Sequence, residues 1–237
     1  MYYERSSDTG SYVQKVKDSI MKVVAFNGSA RKDGNTAILV QEVFKELEKA
    51  GIRTELIQLA GKKMHGCLAC GKCWEKKDRR CVIDDYGNEC IKKMDEADGI
   101  ILASPTYFSD VTTEMKALID RAGFVALANG NMFRRKIGAA VVAVRRGGAI
   151  HTFDTLNHFF FINQMIVPGS RYWNVGIGLE PGDVKKDDEG LDTMKVLGEN
   201  MAWAMKKLKN SLFLEQGHTA AHCSFIPASS RVCLCHR

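Results

Sequence analysis

Lys22-Val-Val-Ala-Phe-Asn-Gly-Ser-Ala-Arg-Lys-Asp-Gly-Asn-Thr-Ala37 reads as strand, polar turn and helix start. Lys22–Asn27 is a short, mostly apolar run ending at Gly28-Ser29, and an amphipathic helical pattern begins near Asn35-Thr36. A strand feeding a Gly-rich turn and then a helix is how an α/β sheet presents backbone N–H groups to an anion. Ser29, Arg31, Asn35 and Thr36 add hydroxyls, an amide and a cation. That donor set suits a terminal phosphate, with two formal charges, better than a pyrophosphate. Neither G-x-G-x-x-G nor G-x-x-x-x-G-K-[ST] occurs here. Taken alone, the loop reads equally well as an ordinary helix N-cap.

The chain on either side decides the fold class. Leu39/Val40, Val43/Phe44 and Leu47 recur at helical spacing, and Ala50-Gly51 ends that helix. Arg53–Leu59 reads as a second strand, and Gly99–Ser104 and Ile137–Val144 as continuous buried ones. Helices are expected at Tyr86–Glu96, started by Asp84/Asp85, and along Met115, Leu118, Ile119 and Ala122. Further helices are expected at His151–Asn163 and Asp187–Lys209. Met165–Val167 reads as the fifth strand, with Tyr172–Val175 continuing or flanking it. Alternating β and α units imply a parallel sheet covered on both faces. Residues 1–20 read as an N-terminal extension, 21–210 as one domain with a cysteine-rich excursion at 61–85, and 211–237 as an appended tail, disordered or non-native.

Composition removes several classes of function. Apolar residues make up 45% and the net charge is +6, both ordinary for a globular chain. No apolar run is long enough to span a membrane, and Met1–Ile20 lacks the apolar core of a secretory signal. Four of the eight cysteines crowd between Cys67 and Cys81 in a chain of otherwise cytoplasmic character, which points to metal rather than to disulfides. Between Gly61 and Cys81 seven basic residues face two acidic ones. This excess is either a solvated loop or a docking face that steers an acidic electron carrier. No aromatic interleaving accompanies it, so nucleic acid is not the expected partner.

Ligands of open α/β sheets lie beyond the carboxyl ends of the strands, where strand order reverses. Three loops occupy such positions. The first is Gly28–Thr36, with its phosphate chemistry. The second, Pro105-Thr106-Tyr107-Phe108, offers a stiffened backbone, a hydroxyl and two aromatics to a planar ring. The third, Arg145-Arg146-Gly147-Gly148, lets backbone approach closely beside two cations. A planar ring with one phosphate points to FMN.

Cys67, Cys70, Cys73 and Cys81 form C-x2-C-x2-C-x7-C. Zinc ribbons more often use two C-x2-C pairs set well apart. The compact core is nearer to [4Fe–4S] ferredoxin spacing, although the usual x3-C-P ending is missing. Zinc and plain reduced thiols stay open. Cys90 reads as a buried apolar residue, His151 and His158 as ordinary helix residues, and Tyr172 and Trp173 as core or interface.

Gly28-Ser29-Ala30-Arg31, Gly34-Asn35-Thr36, the compact cysteine motif with Val82-Ile83-Asp84-Asp85, Ser104 to Phe108, Leu118 to Arg121 and Arg145 to Gly148 together resemble the iron–sulfur flavoprotein family. That family is a branch of the NADPH-dependent FMN reductase and flavodoxin-like superfamily, and the resemblance covers about residues 22–209. It implies a flavodoxin-like three-layer sandwich with a five-stranded parallel sheet of order 2-1-3-4-5. It implies FMN, a [4Fe–4S] cluster on the four cysteines, and a homodimer or homotetramer. It also implies electron transfer between a ferredoxin-like donor and small acceptors such as oxygen, peroxide or quinones. The rival expectations are an NAD(P)H-dependent FMN or quinone reductase whose cysteines bind zinc or nothing, and a flavodoxin-like carrier.

Overall fold

The computed structural model describes residues 20–221, with side chains described through Asn210. Ile20–Met205 forms one compact unit, and the rest of the last helix, from Lys206, belongs to a second.

The runs that read as strands are strands. β1 is Lys22–Asn27, β2 Arg53–Gln58, β3 Gly99–Pro105 and β4 Ile137–Val144. β3 and β4 are buried almost end to end, which is why their sequences are continuously apolar rather than alternating. β5 is Val175–Ile177, so the fifth strand is not Met165–Val167. There Ile166 makes only an isolated parallel bridge to Ile137, beside the start of β4. The five strands are all parallel in the order β2-β1-β3-β4-β5.

Among the described residues the helices are α1 (Asn35–Lys49), α2 (Lys72–Lys76), α3 (Tyr86–Glu96), α4 (Thr113–Ala128), α5 (Ala149–Ile162) and α6 (Asp188–Ala221), with a 3₁₀ turn at Asp183–Lys186. On one face Cys90, Met94, Leu118, Ala122, Leu156 and Phe160 of α3, α4 and α5 meet Val24, Phe26, Ile100 and Ala140 of the sheet. On the other face lie α1 and the first part of α6. Val23 and Met205 approach the Gly99 backbone there, and Leu39 packs over Gly176. Helices on both faces of a parallel sheet make the three-layer sandwich expected. α6 runs to Ala221, so the first residues of the expected tail continue a helix. Residues 1–19 of the extension and 222–237 of the tail lie outside the described residues.

The order reverses between β1 and β3, because the chain leaves β1 for β2 on one side and returns to β3 on the other. Gly28 N–H donates to the Ala103 carbonyl at 2.8 Å across that reversal. A Cβ on Gly28 would stand 2.8 Å from Thr112 Oγ1, so the close approach requires glycine.

Candidate functional site

The first loop is shaped by two residues outside the candidate set. Asn27, fully buried at the end of β1, donates to Gln58 Oε1 at 2.8 Å and accepts from Ser29 N–H at 3.0 Å. Gln58 in turn donates to the Ser29 carbonyl at 2.6 Å. A polar residue closing an apolar strand is the one signal that marks Asn27 in the sequence. Ser29 Oγ accepts from Arg31 N–H at 3.1 Å, which curls the chain toward α1. Gly34, the N-cap of α1, brings no side-chain hydrogen bond to the first-turn N–H groups. Thr36 is buried within that turn and Arg31 is exposed, its Nη1 3.2 Å from the Leu179 carbonyl.

Asn35 faces elsewhere. Its Nδ2 donates to the Glu180 carbonyl at 3.0 Å, and its Oδ1 accepts from Gly182 N–H at 2.9 Å and Val184 N–H at 3.4 Å. Its side chain therefore fastens the segment after β5 against the loop, a segment that sequence reasoning left without a role.

The second loop begins where Thr106 N–H donates to the Ala143 carbonyl at 2.9 Å. Tyr107 and Asp110 exchange backbone bonds of 2.8 and 3.0 Å, closing a two-residue turn. Phe108 (φ 49°) and Ser109 (φ 64°) both take the left-handed conformation, which neither side chain favours. The turn carries the Phe108 ring wholly into solvent, with Tyr107 half exposed.

The third loop meets the second directly. Gly148 (φ +86°) caps α5, and a Cβ there would lie 2.6 Å from Ser109 Oγ. Thr152 Oγ1 donates to Thr106 Oγ1 at 3.3 Å. Arg145, Arg146 and Gly147 are exposed beside this junction, and His151 Nε2 stands 3.7 Å from Asp110 Oδ2. All three loops thus stand at the carboxyl ends of β1, β3 and β4, the second and third in direct contact. Tyr172 and Trp173 are not core. Both are more than half exposed, and with Phe153 they border a separate groove of about 470 Å³.

The cysteines form a second site. Left-handed backbone at Ala69, Gly71, Lys77 and Arg79 folds the excursion sharply around the five-residue α2. Cys67, Cys70, Cys73 and Cys81 all line one cavity of about 160 Å³, walled by Leu68, Trp74, Val82 and Phe124. Asn88 fixes the last limb, accepting from Cys81 N–H at 2.8 Å and donating to the Cys81 and Ile83 carbonyls. Burial pushes the Cys73 thiol up, and the charges of Cys81 and Cys67 push it further. A cation among such crowded sulfurs would favour their thiolate forms. Cys90 lies apart and fully buried, and burial pushes its thiol up to about 12, so it stays neutral. Among the described residues no disulfide joins the cysteines, and no group of three or more His, Cys, Asp or Glu side chains is set out to hold a metal ion.

Arg121 of α4 borders the same cavity and is buried with Asp85, its Nη1 2.5 Å from Asp85 Oδ1. Burial opposes the Arg121 charge, but the Asp85 hydrogen bond and the nearby Cys81 outweigh it and raise its pKa. Burial likewise opposes the Asp85 carboxylate, yet His65 N–H, Arg121 and Gly87 N–H hold it below the usual range.

Residues 21–180 match the NADPH-dependent FMN reductase family. An iron–sulfur flavoprotein of Methanocaldococcus jannaschii is 42% identical over 196 residues, covering 80% of this chain and all of that one. An iron–sulfur flavoprotein of Methanosarcina thermophila is 29% identical over 193 residues, 81% of this chain and 98% of that one. The structure of RosB with bound 8-demethyl-8-formylriboflavin-5'-phosphate superposes with a TM-score of 0.60 at 17% identity, over 90% of this chain and 92% of that one, a likeness of fold.

Proposed function

Because the chain belongs to the NADPH-dependent FMN reductase family, and within it to the iron–sulfur flavoproteins, we propose that this flavin-dependent oxidoreductase carries both FMN and a [4Fe–4S] cluster. Its reaction is then electron transfer between a ferredoxin-like donor and small acceptors such as oxygen, peroxide or quinones. The observation that carries the reading is the shared cavity of Cys67, Cys70, Cys73 and Cys81, from which Cys90 is separate.

By their chemistry the residues suit both groups. The N–H groups of the first turn of α1, Ser29, Thr36 and the exposed Arg31 would hold the phosphate. Pro105, Thr106, Tyr107 and Phe108, with Arg145, Gly147 and Gly148 of the adjoining loop, would hold the ring. Asn35 holds the wall beside the phosphate through Glu180 and Gly182 rather than offering its own amide. The four thiols line one cavity and would offer it soft ligands. When bound, the flavin accepts electrons in pairs and releases them singly, and the cluster passes one at a time. The protein's part is to bind, orient and shield.

The reduced cysteines suit a cytoplasmic setting, and the exposed Phe161, Tyr172 and Trp173 suit a homodimer or homotetramer. No helix of the described residues is long and apolar enough to cross a membrane. The family match favours a second reading, an NAD(P)H-dependent FMN or quinone reductase with zinc-bound or bare cysteines.

Protein purified without oxygen decides between them. Iron and sulfide near four each per chain, together with one FMN, support the first reading. Flavin without iron, or iron replaced by zinc, overturns it. Turnover with NAD(P)H in place of a reduced protein carrier supports the second.

A further inference from the structure

The loop that carries the four cysteines is closed at its base by one side chain. Arg121 is 1% exposed. Its Nη1 donates to Asp85 and, at 3.2 Å, to the His65 carbonyl, while Nη2 donates to the Ile83 carbonyl at 3.0 Å. His65 lies two residues before Cys67 and Ile83 two residues after Cys81, so one guanidinium joins both limbs just outside the first and last thiols. Asp85 closes the junction from its other side, accepting from His65 N–H at 2.8 Å. Room for the guanidinium is made by Gly87, where a Cβ would stand 2.6 Å from Nη1.

Nε differs from its neighbours. It is buried and no acceptor meets it at hydrogen-bonding geometry, although Cys81 lies close enough to raise the Arg121 pKa. A buried N–H without an acceptor is costly and calls for an explanation. The other side chains lining the cavity beside it supply sulfur and no oxygen.

We propose that Arg121 is the positioning residue of the cluster site, clamping both limbs of the cysteine loop through its Nη atoms and holding Nε–H for a sulfur of Cys81 or of the bound cluster. The proposal rests on the cluster reading above. A hydrogen bond to a cluster sulfur, like a nearby positive charge, favours the reduced cluster. Arg121→Lys keeps the charge and removes Nε–H. Gly87→Ala keeps every atom of Arg121 and displaces its guanidinium.

The test is an EPR-monitored redox titration of the full-length chain, reconstituted anaerobically with iron and sulfide, with iron, sulfide and FMN counted for each variant. Both variants are expected to keep FMN and to shift the cluster potential downward. The shift corresponds to at least a tenfold weaker reduction equilibrium, about 59 mV for a one-electron couple. A purely structural ion pair would leave the potential where it is. Full loading with an unchanged potential in both variants therefore overturns the role of Arg121 and leaves the cluster reading standing. A wild-type chain that takes up FMN but no iron and sulfide overturns both. If Arg121→Lys fails to fold, as loss of FMN would show, the Gly87→Ala potential alone decides.

Discussion

Asn35 gives both ends of its amide to a segment almost 150 residues away, reaching the Glu180 carbonyl at 3.0 Å and Gly182 N–H at 2.9 Å. It holds the wall of the first loop, so Asn35→Ala should loosen residues 179–184 before anything else. The expected cost is about 1–3 kcal/mol, the penalty for leaving buried groups unpaired. Hydrogen exchange at Gly182 and Val184 should accelerate ahead of exchange in β3. Unchanged protection there would end the role assigned to the side chain.

Arg31 should act on the phosphate alone. Arg31→Ala should weaken FMN binding by about 1.5–3 kcal/mol, the range of a hydrogen bond to a charged group. Riboflavin, with no phosphate, should bind weakly to the wild type and equally weakly to the variant. Titration of both ligands against both proteins gives the answer, and equal wild-type affinity for the two would remove the phosphate site.

Replacing a thiolate by a hydroxyl separates the two cofactors. Cys70→Ser should lose iron and sulfide while keeping FMN, because a hydroxyl is a poor ligand for iron in such clusters. Cys90→Ser should keep both, since that thiol is buried outside the cavity and stays neutral. Iron analysis of the two variants side by side is sufficient. Loss of iron from Cys90→Ser would mean that the wrong sulfurs were chosen.

Stability against acid should depend on Asp85. Its carboxyl is held below the usual range against burial, by His65 N–H, Arg121 and Gly87 N–H. A depressed folded pKa stabilises above the unfolded value, about 3.9, and that contribution is lost as pH falls through the folded value. Asp85→Asn leaves the Arg121 charge buried and should cost about 3–5 kcal/mol at neutral pH. The gap between variant and wild type should narrow as the pH is taken below about 4. Urea titrations at several pH values would show it, and a gap independent of pH would contradict the assignment.

The sheet was legible because β1, β3 and β4 are buried on both faces, and that condition writes itself as unbroken apolar runs. β5 was not. Met165–Val167 is equally apolar but makes a single bridge, whereas Val175–Ile177 earns its place by pairing with Val142–Val144, a contact no local pattern records. The cysteine spacing pointed to one shared cavity because the ligands are close in sequence. Asn27, Gln58 and Arg121 gain their positions only when distant strands and helices meet. Asn35 shows the same limit in reverse, since its place at the start of α1 suggests a phosphate donor and its actual partners lie far along the chain.

The two margins of the sheet are protected in different ways. On one side β5 is only three residues long, and Ile177 N–H is taken by the Asp187 carboxylate at 2.6 Å. On the other, Glu55 in the middle of β2 binds Lys22 at 2.6 Å and Lys93 at 2.5 Å, placing charge along the rim. Short strands and charged rims deny a second chain the bare ladder on which strand addition begins. When the two cofactor sites are emptied, this fold should therefore lose them without acquiring a tendency to form fibrils.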